Sequence, residues 1–321
     1  MRKLIGVEFF KLCKRWMPYV LLLALLAITL LPIVLDYTDY QNRYQSAIDK
    51  YPELEDVIKE VEVGHGGNSG ITVYIDQSDP QNSFNVTPDE EWEKEHLVRQ
   101  LSNAKESLVL PWAMDGIFSS IPGLGMFLAA FLTASVIGAE YGWGTLRQTL
   151  AKGTSRSNYL TAKLLAISIA IIGGVLVVVL VGFIATLITS MLVHGGMEWS
   201  GFAGHFFAPL GRTLLILAVY MAMAAFFAVL LRSSAAGLAV VVVWLIAETI
   251  IIGFMGNSTG WLAEVPNYLI GTNTNELLSL NSFNPPDDIK PWWQSCGILL
   301  AYITVFITAA CYFFRRQDLT A

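Results

Sequence analysis

The sequence predicts an all-α polytopic membrane protein. It would have six transmembrane helices, both termini in the cytoplasm (N-in/C-in), and a small external α+β insertion between helices 1 and 2. Three observations carry this reading. Of 321 residues, 54% are hydrophobic and only 14% are charged, with a mean hydropathy of +0.53. A soluble domain carries about 25% charged residues, so these few cannot cover a soluble surface. Six stretches are apolar over the roughly 20 residues that a spanning helix needs. Finally, 12 of the 20 basic residues fall in short segments on one side of those stretches, as the positive-inside rule requires of the cytoplasmic side. The apolar composition and the formal net charge of −6 exclude disordered, collagen-like and nucleic-acid-binding classes. Cys13, Cys296 and Cys311 have neither disulfide nor metal-ligand spacing.

Residues 1–16 read as a cytoplasmic amphipathic elbow helix. Leu4, Ile5, Phe9, Leu12, Cys13 and Trp16 supply the apolar side, and Lys3, Glu8, Lys11, Lys14 and Arg15 the polar side. Such a helix lies in the headgroup plane, held by apolar burial and anionic lipid. Glu8 and Lys11 stand three apart, a spacing that allows an ion pair. Residues 17–35 form the first span, with Pro18 tolerated in the first turn.

Residues 36–115 form the external domain, holding 17 of the 26 acids and 6 bases. Tyr44, Ile48, Tyr51, Val57, Ile58 and Val61 recur at near-helical spacing, which extends a helix out of span 1 with a break near Pro52. Residues 71–75 alternate enough for one short strand. Pro88, followed by three acids, starts another helix. The acid run reads as a solvated face rather than a substrate trap.

The second span covers 116–138 and the third 160–193. The fourth, 213–231, lies between Arg212 and Arg232, and the fifth covers 235–254. Residues 256–291 are an external re-entrant segment, in which Trp261, Leu262, Val265, Tyr268, Leu269 and Ile270 read as a short helix or dip at the outer interface, broken by Pro266. Non-helical backbone at that depth must be covered by protein or line a cavity. The sixth span, 292–314, has tryptophans at one end and Tyr312 near the other, and a cytoplasmic tail, 315–321, follows. Glu248 is the acid well inside a span, about 24 Å from the inner edge by helical rise. Intramembrane acids face the bundle interior or water, so Glu248 is either a translocation-path contact or a packing hydrogen bond.

The most informative stretch is the cytoplasmic loop 139–159. It carries Glu140 and Tyr141, glycines at 142 and 144, then Thr145, Leu146, Arg147 and Gln148. Gly153 and Arg156 follow, and Lys163 lies just beyond. A mere connector would be short and featureless. Two glycine breaks around a helix-compatible run suggest a small helix across the cytoplasmic mouth, where another protein docks. Glu140-Tyr-x-x-Gly144-Thr145-Leu-Arg147, followed by Arg156 and a lysine, resembles the ABC-2 type permease family, the membrane subunits of one class of ABC exporter. The elbow segment, the basic tail and the six-span plan with a large first external loop are similar too.

The resemblance implies a permease subunit in the cell membrane of a bacterium. It would pair with a second permease, identical or different, and with two ABC ATPase subunits. Glu140, Gly144, Thr145, Arg147, Gln148 and Arg156 would couple to those ATPases, and Glu8 and Lys11 would belong to the elbow. ATP and Mg would bind the partner ATPases, and this chain would bind no cofactor. The phosphate cradle G-x-x-x-x-G-K-[ST] is absent from the sequence, so hydrolysis would fall to a partner.

Two other readings compete. A membrane-anchored sensor or scaffold would explain the acidic domain but not the patterned loop. A serine hydrolase built on Gly256-Asn257-Ser258-Thr259-Gly260, with His194 or His205, needs a strand before its serine, where a spanning helix is expected. His194 and His205 otherwise read as two exposed residues flanking a short external loop. A secondary transporter would show internal repeats, and none is visible.

Overall fold

A computed structural model describes residues 2–52, 54, 55, 58, 88–143, 155–193, 202–255, 260–280 and 291–317. Its helices are α1 Arg2–Cys13, α2 Met17–Lys50, α3 Pro88–Leu108, α4 Ala113–Trp143, α5 Arg156–Leu192, α6 Phe202–Leu231, α7 Ser234–Met255, a 3₁₀ helix Gly260–Tyr268, α8 Ile270–Ser279 and α9 Trp292–Arg316. Six of them (α2, α4, α5, α6, α7 and α9) are long and apolar enough to cross a bilayer. No strand occurs among the described residues, and the strand expected over 71–75 lies outside them.

The bundle is organised around α6. Its stretch Val219–Ala225 is buried without a break, rich in alanine and methionine. Small residues let neighbouring helix backbones approach, which is how helices associate where lipid is as apolar as leucine. α4 packs along α6 on one side and α9 on another, with α7 touching both α4 and α6. The turn from α6 to α7 is very short, and Arg232 there takes a left-handed backbone (φ 53°) to end α6. The resulting approach is close. A Cβ on Gly138 of α4 would lie 2.2 Å from the Ser234 backbone nitrogen, and one on Gly237 would lie 2.9 Å from the Ala228 Cα.

Outward faces are aliphatic. Leu23, Leu31 and Val34 of α2, Leu176, Leu180, Ile184 and Ile188 of α5, and Val243, Ile246, Ile250 and Phe254 of α7 are exposed. On a soluble protein this would be one large aggregation-prone patch, whereas in hydrocarbon it is a solvated surface.

The two ends of the bundle differ. The terminal end gathers α1, the start of α5 and the end of α9 around Leu12, Tyr159 and Phe314. At the distal end α2 continues beyond the bundle and packs on α3 through Tyr40, Ala47, Val98 and Leu101. Lys50 pairs with Glu93, whose other oxygen accepts from the Tyr51 hydroxyl at 3.0 Å. These two donors hold the Glu93 carboxyl below the usual carboxylate range.

One sequence expectation needs correction. On α1 Glu8, expected on the polar side, is 6% exposed and shares the inward face with Leu12, while Trp16, expected on the apolar side, lies beyond the end of α1 and is exposed. The reason is electrostatic: α1 packs on α5, where the Lys163 ammonium feels the Glu8 charge. A cationic neighbour lets this one charge join the apolar side of α1.

Candidate functional site

The terminal end of the bundle holds a buried charged cluster. Glu140, near the end of α4, pairs with Lys163 of α5. Its second oxygen accepts from the Tyr159 hydroxyl at 2.5 Å. Tyr159 and Lys163 are 1% and 2% exposed. The spacing of Tyr159 and Lys163 by four places both on one face of α5, so a single carboxylate bridges them. The Lys163 ammonium also lies over the Tyr159 ring. Glu8 and Arg15 act on it electrostatically, and Glu8 binds Lys11 at 2.7 Å. Charge is nearly balanced, which a buried ionic group requires.

A second set of contacts ties in the chain's last turn. Gln317 accepts from the Tyr141 hydroxyl at 3.0 Å and donates to the Val229 carbonyl at 2.7 Å. Arg156 donates to the Gln317 carbonyl at 2.5 Å. Tyr159 stacks on Phe314 with ring centroids 6.5 Å apart. These bonds satisfy carbonyls left open at the ends of α6 and α9. α5 itself starts at Ser155, whose side chain accepts from the Asn158 N–H.

The two groups of contacts bracket one segment. Glu140 and Tyr141 precede 144–154, and Ser155, Arg156, Tyr159 and Lys163 follow it. Gly144, Thr145, Arg147 and Gln148 lie outside the described residues. The expected break at Gly142 is absent, because α4 stays helical through Trp143. Glycine costs about 1 kcal/mol in a helix, too little to stop one anchored by Glu140 and Tyr141. Of the expected site residues, the structure joins Glu8 with Lys11, and places Glu140 and Arg156 at the two edges of the loop. Tyr159, Lys163 and Gln317 complete the cluster and were not singled out as site residues. The four-residue spacing of Tyr159 and Lys163 on an otherwise apolar helix is the signal that could have found two of them.

Glu248 is elsewhere. It lies on α7, 3% exposed, and accepts the Gly271 N–H at 2.5 Å. Gly271 is in the first turn of α8, whose N-cap residue, Leu269, offers no side-chain cap. Glu248 therefore caps α8 from another helix, meeting both its open N–H and its positive pole. A Cβ at Gly271 would come within 3.0 Å of this carboxyl, so the glycine keeps the approach open.

Other side chains secure the same re-entrant segment. Asn273 donates to the carbonyls of Asn267 (3.0 Å) and Leu269 (2.7 Å), Tyr302 to that of Tyr268 (3.1 Å), and Arg212 to that of Leu280 (2.9 Å). Irregular backbone persists in an apolar setting only with such partners. Glu248→Ala is expected to destabilise α8 by about 1–2 kcal/mol. Amide exchange over 270–274 would speed up first, and unchanged exchange would contradict the capping role.

His205 also departs from expectation. It sits in the first turn of α6, partly buried, with Nδ1 3.0 Å from Asp115 Oδ2 and its ring edge-on to Trp112. Helical continuation of α6 back to Phe202 brings it to the start of α4. His194 and Ser258 lie outside the described residues. A helix, α7 to Met255, precedes the Gly256 motif, not the strand that a nucleophile elbow needs. Among the described residues no three His, Cys, Asp or Glu side chains converge as a metal site would require.

The family model described as ABC-2 family transporter protein matches residues 6–319. Comparison with curated proteins gives no match. The family match spans all six apolar helices, the bracketed loop and the end of α9. The chain therefore belongs to the ABC-2 transporter family, as a multi-pass membrane component of an ABC transporter whose family implies association with ABC ATPase subunits.

Proposed function

We propose that this chain is the permease subunit of an ATP-driven exporter in a bacterial cell membrane, working as a dimer with two ATPase subunits. ATP and Mg bind those subunits. The terminal end of the bundle faces the cytoplasm, in line with the basic residues that cluster there. The dimer is formed with an identical or a related permease.

The observation that carries this reading is the bracket around 144–154. Displacement of a docked loop cannot be absorbed locally, because both its edges are fixed by buried ionic and hydrogen-bonded contacts. It passes into α4 and α5 through Glu140 and Lys163, and into α6 and α9 through Gln317. Gly144, Thr145, Arg147 and Gln148 belong to the segment that meets the ATPase. Arg147 makes a charge-assisted bond to a partner acid. Glu8 and Lys11 brace the elbow against the same cluster. Coupling then requires that these linked elements have a second packed arrangement.

Arg147→Glu is expected to lower transport-coupled ATPase activity by about tenfold or more while the permease still inserts and folds, since about 1.5–3 kcal/mol rests on a charged hydrogen bond. The check is co-purification of the tagged chain in mild detergent with its ATPase, followed by vanadate-sensitive hydrolysis. A chain that purifies alone at every detergent strength would overturn the proposal. The sensor reading would then be favoured, for which the acidic insertion is the supporting observation.

A further inference from the structure

A cavity of about 210 Å³ opens between α2, α3, α4 and α5 toward the distal end of the bundle. Asp36 stands at its rim, 19 residues beyond Met17. At helical rise this is about 28 Å along α2, the level where hydrocarbon gives way to headgroups. Six hydroxyls line it: Thr29, Ser107, Ser119, Ser120, Thr186 and Thr189.

Each of the six hydroxyls lies within hydrogen-bond distance of a carbonyl of its own helix. Thr29 donates to the Leu25 carbonyl (2.9 Å), Thr186 to Phe183 (3.0 Å) and Thr189 to Thr186 (3.0 Å). Ser107 donates to the Ala104 carbonyl (2.9 Å), and Ser119 and Ser120 to that of Gly116 (3.0 and 2.8 Å). With its proton on that carbonyl, each hydroxyl oxygen has lone pairs to offer the cavity. The Asp36 carboxylate has no hydrogen bond or ion pair among the described residues. The neighbouring acid Asp39 is by contrast paired with Arg43 at 2.8 Å. Thr29 and Thr186 are each 1% exposed, so these acceptors lie deep in protein.

Ile33, Leu108 and Ala113 are also in the lining, so one carboxylate and six hydroxyls stand among apolar groups, a setting that suits a cationic hydrogen-bond donor on an apolar chain. Its volume suits a headgroup-sized moiety and is below that of sites that enclose whole drug-like ligands. The apolar outer face of α2 beside it can carry an alkyl chain. We propose that this cavity binds the primary ammonium group of an amphipathic amine, with Asp36 as counter-ion and the Thr and Ser oxygens as acceptors. The ammonium comes either from an aminophospholipid headgroup or from a single-chain amine entering from solution. Binding here requires no ATPase, so it is tested independently of the transport reading.

The experiment uses the full chain in phosphatidylcholine nanodiscs without nucleotide, and a long-chain primary alkylamine bearing a diazirine. Labelling mapped by mass spectrometry is expected on α2, α4 and α5 around the cavity. It should fall by about tenfold for the N-acetylated probe and for Asp36→Asn, the equivalent of one lost charge-assisted contact. Asp36→Glu should retain it, and Asp39→Asn, one turn away, should not change it. Competition by phosphatidylethanolamine in the nanodisc would identify the lipid headgroup as the source. Competition only by a soluble single-chain amine would identify the second source. Equal labelling by the neutral probe, unchanged labelling in Asp36→Asn, or no competition by either amine would overturn the assignment.

Discussion

Lys163→Met is expected to destabilise the protein by about 3–5 kcal/mol, the cost of leaving one charge of a buried pair uncompensated. Lys163 is 2% exposed and its partner Glu140 is 9% exposed. Without the ammonium, Glu140 keeps only the Tyr159 hydroxyl as a partner within the cluster. Glu8, also buried, loses an opposite charge as well. Methionine fills much the same volume, so the loss would be electrostatic rather than a cavity effect. The double variant Lys163→Met with Glu140→Gln should recover more than half of it, because the stranded charge is gone. Unfolding in mixed micelles would measure both. A double variant no better than the single one would mean that packing, not charge, holds this end. If the cluster also transmits motion, the double variant should fold yet uncouple ATPase activity from transport.

Gly138→Ala is expected to be as damaging, at about 3 kcal/mol or the upper end of overpacking, despite adding a single methyl. The new carbon would sit 2.2 Å from the Ser234 nitrogen and 2.4 Å from its Cα. These are backbone atoms, so no rotamer change relieves the clash. Nor can α7 retreat as a unit without losing its own close contact, since Gly237 rests on Ala228 of α6. The control is Gly173→Ala on the exposed face of α5, where nothing lies within 4 Å of the added carbon. There alanine should be neutral or stabilising by up to about 1 kcal/mol, the ordinary helix preference over glycine. Equal stability of the two variants in a thermal unfolding series would show that α4 and α7 do not approach as described.

The spanning helices were legible because lipid imposes a compositional rule on about 20 residues at a time. That rule survives whatever the helices touch. The extension of α2 beyond its apolar stretch and its end near Pro52 were legible for a related reason: helical spacing of Tyr44, Ile48 and Tyr51 is local. The 3₁₀ helix and α8 were legible only as a short helix or dip, since their shape depends on hydrogen-bond partners from α6, α7 and α9.

The candidate site was half legible. Glu140 and Arg156 stood out through the pattern of one loop. Gln317 did not, because its partners Tyr141 and Val229 are 176 and 88 residues away. Glu248 illustrates the same point. The sequence identified it as an intramembrane acid with two possible roles, and only the fold supplied the Gly271 N–H. A backbone donor leaves no trace in the residue type that carries it. Glu8 shows the converse, a charge assigned to the polar side of α1 that the tertiary structure turns inward toward Lys163.

By itself, then, the sequence determined that this chain lives in a membrane, how many helices can cross it, and which family it resembles. Those properties follow from transfer free energy and local spacing, both additive along a chain. The tertiary structure decided which charges are buried together, which helix caps α8, and where the hydroxyl-lined cavity lies. Those depend on directional contacts between residues far apart in sequence, and direction enters only once helices have packed.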